Sequence, residues 1–220
     1  MKEGQKGLIT DFDNTLVKTM QFVSSHMRET CEVLGIKCPS QEKLLTILKL
    51  NPPFEKIFQD IFAESADKVL TKYRETAMAK FFKPTDGGLE FVKILNQKDI
   101  LIVIVSNRIN KLPERLEQAG YDQNSFLEIV QPDKPKSNKE AYSEAIRILN
   151  ENGVREENIF IAGDSLDDYE ACPKRLAKHF FALLTGPNTK EEFIEAGVEK
   201  DKILTSFSNL PDLILNHGGN

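Results

Sequence analysis

The chain alternates short apolar runs with longer amphipathic stretches. Continuous apolar runs, typical of strands that are covered on both faces, occur at positions 7–10, 100–105, 126–130, 158–162 and 179–184. Between several of these runs lie stretches in which apolar residues recur at helical spacing, as in Leu89, Val92 and Leu95. A last short strand and a helix are expected within 202–215. Strand alternating with helix predicts an α/β fold with a parallel sheet flanked by helices.

One region breaks this alternation. Residues 19–83 contain successive amphipathic helical patterns at 20–36, 40–50, 54–62 and 66–82. This is too long for an ordinary crossover connection, and Pro84 is a natural helix stop. We therefore predict an inserted all-helical domain at 19–83, within a core formed by residues 1–18 and 84–220.

Composition narrows the class of partner. The 220 residues are 40% hydrophobic, acidic and basic residues are mixed along the chain, and the net charge is −5. We therefore expect neither nucleic acid nor a membrane surface as partner. No apolar run approaches the roughly 18 residues that a membrane helix needs, and we predict a cytoplasmic protein. The sequence carries no signal for the oligomeric state.

The predicted insert is slightly basic. It contains ten Lys or Arg against eight Asp or Glu, which leaves the core as the acidic part of the chain. This difference favours an anionic substrate beneath the insert. A solvated helical bundle with a chance charge balance explains it equally well.

Polar residues follow the predicted strands where each strand ends. In an open parallel sheet, ligands bind beyond the carboxyl ends of the strands, and the residues found there are Asp11, Asp13, Thr15, Ser106, Asn107, Asp164 and Asp168. Two carboxylates as close as Asp11 and Asp13 repel each other unless they are exposed or share a counter-ion. Taken singly, Asp164 or Asp168 could be a helix cap, and Ser106-Asn107 an ordinary turn.

These strings together resemble the motifs of a known family. DFDNTL at 11–16, SN at 106–107, a lysine at a helix start and GDSLDD at 163–168 are similar, in order, to the four motifs of the haloacid dehalogenase superfamily. The helical insert resembles the alpha-helical cap of its phosphoglycolate phosphatases and beta-phosphoglucomutases. The resemblance covers nearly the whole chain and implies a Rossmann-like core with a helical cap.

The resemblance also implies residue roles. Asp11 would attack phosphorus to form an aspartyl-phosphate, and Asp13 would act as general acid and base. Mg²⁺, which prefers oxygen ligands, would be held by Asp11, Asp164 and the main-chain carbonyl of Asp13, with Asp168 acting through its water shell. The predicted phosphate-binding residues are Thr15, Ser106 and Asn107.

The third motif leaves two lysines open. Family members often read Lys-Pro-x-Pro followed by an aromatic residue that opens a helix. Lys134-Pro135 matches the first two letters but lies too far from Tyr142, whereas Lys136 has the right distance to Tyr142 and no prolines. We favour Lys136 as the catalytic lysine because it precedes Ser137, a candidate helix cap, and keep Lys134 as the alternative.

The insert offers few specificity candidates. Family members carry a substrate-contacting loop, usually with glycine, where this chain has residues 48–54. Lys49 and Asn51 could contact a polar substrate, or the segment could be a proline-rich helix break. His26 and Arg28 are expected on the surface.

The expected function is that of a Mg²⁺-dependent phosphatase acting on a small phosphorylated metabolite. Dehalogenases of the superfamily lack the second acid, so Asp13 favours phosphate chemistry. The alternatives are a phosphomutase of the beta-phosphoglucomutase kind and a non-catalytic phosphate-binding protein.

Overall fold

The sheet has the predicted parallel architecture. The structure is a computed structural model that describes residues 4–50, 53–108, 111–132, 136, 138 and 140–217. Its six strands are β1 (Gly7–Thr10), β2 (Leu101–Val105), β3 (Glu128–Val130), β4 (Ile159–Gly163), β5 (Phe180–Leu183) and β6 (Ile203–Leu204). They pair in parallel in the order β3-β2-β1-β4-β5-β6. Each predicted apolar run therefore overlaps a strand, and the α/β prediction is confirmed.

Helices cover the sheet on both faces. Those of the core are α5 (Gly88–Gln97), α6 (Leu112–Gln118), α7 (Ser143–Glu151), α8 (Leu166–Ala171), α9 (Lys190–Ala196) and α10 (Leu210–Leu215). Successive side chains of a strand point to opposite faces, and accordingly Leu8 and Ile9 of β1 belong to two different hydrophobic clusters. This double burial explains why the strands read as continuous apolar runs.

The insert folds as four helices with their own hydrophobic cluster. They are α1 (Thr19–Leu34), α2 (Gln41–Lys49), α3 (Phe54–Phe62) and α4 (Ala66–Ala77). Their inner faces meet around Met27, Phe58 and Val69, which are fully buried. Helix α4 ends before the predicted residue 82. Its Ala77 carbonyl accepts a hydrogen bond of 3.0 Å from Nη2 of Arg115, which satisfies one of the carbonyls that a helix end leaves unpaired.

Two adjacent segments connect the insert to the sheet. The amide of Lys18 donates to the carbonyl of Lys83, and the amide of Thr85 donates to that of Leu16, both at 2.9 Å. The chain thus leaves and re-enters the core side by side. The division into a core (1–18 and 84–220) and a cap (19–83) stays a prediction, which these paired segments and the separate cluster of the insert support.

Two local expectations are corrected. His26 is not a surface residue, because its ring is buried between α1 and α4 and its Nε2 lies 3.1 Å from the carbonyl oxygen of Tyr73; Arg28 is exposed as expected. Helix α7 begins at Ser143, later than the expected cap at Ser137, which itself lies outside the described residues. No helix in the described part of the chain is both long and apolar enough to cross a membrane.

Candidate active site

Asp11 and Asp13 diverge as soon as β1 ends. The Asp11 amide still bonds to the carbonyl of Ala162 in β4 at 3.0 Å, and a turn then closes between Phe12 and Leu16. The side chain of Asp11 is buried beside β4, while that of Asp13 lies nearer the surface. The turn therefore gives the two carboxylates different partners and reduces the repulsion expected from their spacing.

Lys136 bridges two of the predicted carboxylates. Its Nζ donates to the carboxylate of Asp11 and, at 3.0 Å, to Oδ1 of Asp168. The residue is only 3% exposed. Burial opposes its charge, but the charges of Asp11 and Asp168 outweigh burial and raise the pKa of Lys136. The alternative, Lys134, lies outside the described residues.

Asp168 is held by donors on every side. Its Oδ1 accepts a bond of 3.1 Å from the hydroxyl of Tyr142 as well as that from Lys136. Its Oδ2 accepts bonds from the amide and hydroxyl of Ser165. The amide of Asp168 donates in return to Oγ of Ser165, which completes a capping box at the start of α8. Asp168 thus completes the capping box of α8, whose N-cap is Ser165, and is a fixed anchor for Lys136.

Asp164 is buried directly after β4 and accepts a hydrogen bond of 2.6 Å from the hydroxyl of Thr15. The backbone of Gly186 lies so close that an added Cβ atom would overlap the Asp164 carboxylate. The structure thus gives Thr15 a contact with Asp164, and its predicted phosphate contact would require that bond to be replaced.

Burial raises the pKa values of Asp11 and Asp164 in this cluster. It raises the pKa of Asp11 to about 6; Lys136 opposes this shift, and the nearby charges of Asp168 and Asp13 add to it. The pKa of Asp164 is raised well above its ordinary value, first by burial and then by the charges of Asp11 and Asp168. Among the described residues, Lys136 is the one lysine in this cluster, and it offsets only part of the negative charge at the strand ends.

The cluster fits a divalent cation. Asp11, Asp164 and Asp168 each offer a carboxylate oxygen, and these atoms lie within 4.8 Å of one another. Buried carboxylate oxygens are the ligands that hard cations prefer, and a cation would supply the missing positive charge. Both oxygens of Asp168 accept hydrogen bonds from the protein, whereas Lys136 and Thr15 bind only Oδ1 of Asp11 and Oδ1 of Asp164, respectively. Asp11 and Asp164 are therefore the better placed direct ligands.

Ser106 and Asn107 follow β2 at the same rim. Ser106 is buried, and its Oγ accepts a bond of 3.2 Å from the amide of Arg108. The side-chain oxygen of Asn107 accepts one of 3.2 Å from the amide of Lys136. The second and third motifs are therefore joined directly.

A cleft of about 630 Å³ runs from this rim to the helical insert. Its insert side is mostly apolar, formed by Met20, Phe22, Val23, Leu48, Phe54, Ile57, Tyr73, Ala77, Met78 and Phe82. Two ends of the predicted specificity loop, Leu48 and Phe54, thus reach the cleft. Lys49 is exposed, and Asn51 lies outside the described residues.

Sequence reasoning missed Arg108 and Arg115. Arg108 donates from Nη2 to Oδ1 of Asp13 at 2.5 Å and from Nε to Oδ2 at 3.2 Å. The hydroxyl of Thr19 donates to the same Oδ1 at 2.6 Å. The position of Arg108, directly after Ser106-Asn107, is a signal that could have identified it, whereas Arg115 lies within a helical pattern without such a signal.

The predicted site residues thus meet at one edge of the sheet. Asp11, Asp164, Asp168 and Lys136 form one buried cluster, while Asp13 lies apart with Arg108 and Thr19. The catalytic, phosphate-binding and metal-binding roles assigned to them stay predictions.

Comparison with known proteins agrees with this geometry. The sequence model of the haloacid dehalogenase-like hydrolase family matches residues 8–204. The chain is 23% identical over 182 residues to the phosphoglycolate phosphatase of Aquifex aeolicus (strain VF5), with 80% of this chain and 84% of that protein covered.

Solved structures show the same fold. A Clostridium difficile protein provisionally described as a phosphatase superposes with a TM-score of 0.74 at 18% identity, covering 97% of this chain and 100% of its own. A Thermotoga maritima protein provisionally described as a beta-phosphoglucomutase gives 0.74 at 17% identity with the same coverage. These structures establish the likeness of the fold alone.

The family match covers both the sheet and the helical insert and includes all four motif strings. It confirms the resemblance that the motifs indicated, and with it the expectation of a hydrolase. The chain belongs to the haloacid dehalogenase-like hydrolase family.

Proposed function

We propose that this protein is a Mg²⁺-dependent phosphatase that hydrolyses a small phosphate monoester through an aspartyl-phosphate on Asp11. The observation that carries the proposal is the contact of Lys136 with both Asp11 and Asp168 in a buried cluster. A buried lysine beside a carboxylate aligns a nucleophile and offers positive charge to a phosphoryl group. The phosphoglycolate phosphatase of Aquifex aeolicus, a relative over most of the chain, adds support for phosphate ester chemistry.

In the first step, an oxygen of Asp11 attacks phosphorus and the bond from phosphorus to the ester oxygen breaks. The leaving alcohol takes a proton from Asp13, which lies two residues further on and lines the same cleft. Lys136 holds Asp11 in position and stabilises the negative charge of the transferring group. Ser106 and the backbone of Asn107 bind its oxygens.

In the second step, Asp13 accepts a proton from a water molecule that attacks the aspartyl-phosphate. The bond between phosphorus and Asp11 breaks, inorganic phosphate leaves, and the enzyme returns to its starting state. Thr15 keeps Asp164 oriented through its hydrogen bond of 2.6 Å, and Asp168 keeps Lys136 in place.

Asp11 and Asp164, with the main-chain carbonyl of Asp13, would hold Mg²⁺, and Asp168 would orient its water shell. Bound there, the cation would neutralise the repulsion between an anionic nucleophile and an anionic ester. The buried oxygens of Asp11 and Asp164 support this assignment.

The experiment is a measurement of phosphate release from a panel of metabolite phosphate esters, with and without Mg²⁺. Turnover that needs Mg²⁺ and disappears on chelation is the expected result. Isomerisation of a sugar phosphate with only a trace of free phosphate would instead identify a phosphomutase. Binding of esters without any turnover would identify a non-catalytic phosphate-binding protein.

A further inference from the structure

The cleft has opposite charge at its two ends. At the strand ends, in the part of the chain that the structure describes, Asp11, Asp164 and Asp168 face one cation, Lys136. Towards the helical insert the balance is reversed, because the guanidinium groups of Arg108 and Arg115 line the cleft there and both lie near Asp13. A metal and a phosphoryl group suit the first end, and a second anion suits the other.

An aromatic surface supports the two guanidinium groups. The Cζ of Arg115 lies 4.5 Å and that of Arg108 5.3 Å from the centre of the Phe82 ring. Arg108 also lies 5.5 Å from the centre of the Phe12 ring. Stacking on ring faces stabilises a guanidinium while it leaves its edges open to hydrogen-bond acceptors.

Neutral groups accept three hydrogen bonds from Arg115. Its Nη1 donates to the carbonyl of Lys80 at 2.9 Å and to the side-chain oxygen of Gln118 at 2.7 Å, and its Nη2 donates to the carbonyl of Ala77. These acceptors fix the side chain and carry no charge of their own. Arg115 therefore adds positive potential to the cleft, and three of its five N–H donors are committed to the protein.

Arg108 has donors to spare. A guanidinium carries five N–H groups, and among the described residues Arg108 donates its side-chain bonds from Nε and Nη2 to Asp13. This leaves the Nη1 edge for a second acceptor. The side chain is 24% exposed and lines the cleft, so a ligand can reach it.

We propose that Arg108 binds a second anionic group, such as a carboxylate, on the alcohol part of the phosphate ester. This inference rests on the proposed function, since it assigns the end of the substrate opposite to the phosphoryl group. Arg108 is then a specificity-determining residue, and the charge of Arg115 strengthens the same preference. A planar guanidinium suits a carboxylate because the two can form paired charge-assisted hydrogen bonds.

The test compares two esters that differ by one charge, 2-phosphoglycolate and its carboxamide. We expect wild-type kcat/KM to favour the carboxylate by about tenfold or more, mostly through KM. In Arg108→Gln the ratio should fall to within about threefold. The matched control is Arg74→Gln, because Arg74 also lines the cleft but pairs with Glu55, and it should keep the wild-type ratio.

Binding provides a second readout. Calorimetry in the Asp11→Asn background, where no turnover is expected, should show the same preference for the carboxylate and its loss when Arg108→Gln is added. If Arg108→Gln does not fold, Arg108→Lys keeps the charge without the planar fork and should give an intermediate ratio.

Three outcomes would overturn the inference. The first is an equal kcat/KM of the wild type for the two esters, and the second is an unchanged ratio of the two values in the Arg108 variants. The third is an equal fall of that ratio in Arg74→Gln, which would indicate that diffuse charge causes the preference. Failure of the proposed function looks different, because the wild type would then release phosphate from no ester of the panel while calorimetry could still report the preference.

Discussion

Lys136 donates a hydrogen bond to the carboxylate of Asp11, which lies 125 positions earlier in the chain. The contact joins the end of β1 to the segment before α7. It also places the positive charge of Lys136 directly beside Asp11, in a cluster of three carboxylates. The first two predictions test this pair.

Asp11→Asn should reduce turnover by about 10⁴-fold or more, because an amide nitrogen cannot attack phosphorus. The fold should persist, since the substitution removes one charge from a cluster of repelling carboxylates. Phosphate release and thermal unfolding are the two measurements. Asp167→Asn is the control, because Asp167 also lines the cleft and its loss should leave most of the activity. Substantial turnover by Asp11→Asn would refute the mechanism.

Lys136→Gln should cost far more activity than Lys134→Gln. The first substitution leaves Asp11 and Asp168 buried without their cation, so we also expect a loss of roughly 3–5 kcal/mol in the free energy of unfolding. Denaturant unfolding without Mg²⁺ measures this loss, and added Mg²⁺ should recover part of it. Larger effects from Lys134 than from Lys136 would reassign the third motif.

Gly186→Ala should weaken both Mg²⁺ binding and activity by about 10- to 100-fold, because the new Cβ would overlap the Asp164 carboxylate. Titration of activity with Mg²⁺ measures the effect. Gly35→Ala is the control: at Gly35, which ends α1 at φ +64°, the added Cβ has open space. That variant should lose about 1–2 kcal/mol of stability and keep its metal affinity. Equal metal affinity in both variants would contradict the placement of Asp164.

His26 should make stability decrease as the pH falls. Burial lowers the pKa of His26 below its ordinary value of 6.5, so the unfolded chain takes up a proton that the folded chain resists. The contribution of His26 is complete above pH 6.5 and is lost progressively below it, down to the pKa of the folded state. In His26→Gln, the free energy of unfolding should fall less between pH 7.5 and 5.5 than in the wild type. Parallel curves for the two proteins would show that the ring titrates normally.

The parallel sheet, the helices of the insert and the family could all be predicted from the order of amino acids. Strands buried on both faces must be apolar at every position, so each run could be recognised locally. The motif strings could also be recognised locally, because Asp11 and Asp13 lie within three residues of sequence, where a strand gives way to a turn. The polar residues after the strands could be predicted to meet, since all parallel strands end at one edge.

Which side chains contact each other at that edge depends on the packing of segments that are distant in the chain. The contact of Lys136 with Asp11, the bond from Thr15 to Asp164 and the burial of His26 join residues far apart in the chain. Sequence periodicity reports burial along one element and carries no information on such pairs. Arg108 illustrates the limit: its neighbours Ser106 and Asn107 indicated a site, but its hold on Asp13 arises only where the loops after β1 and β2 pack together.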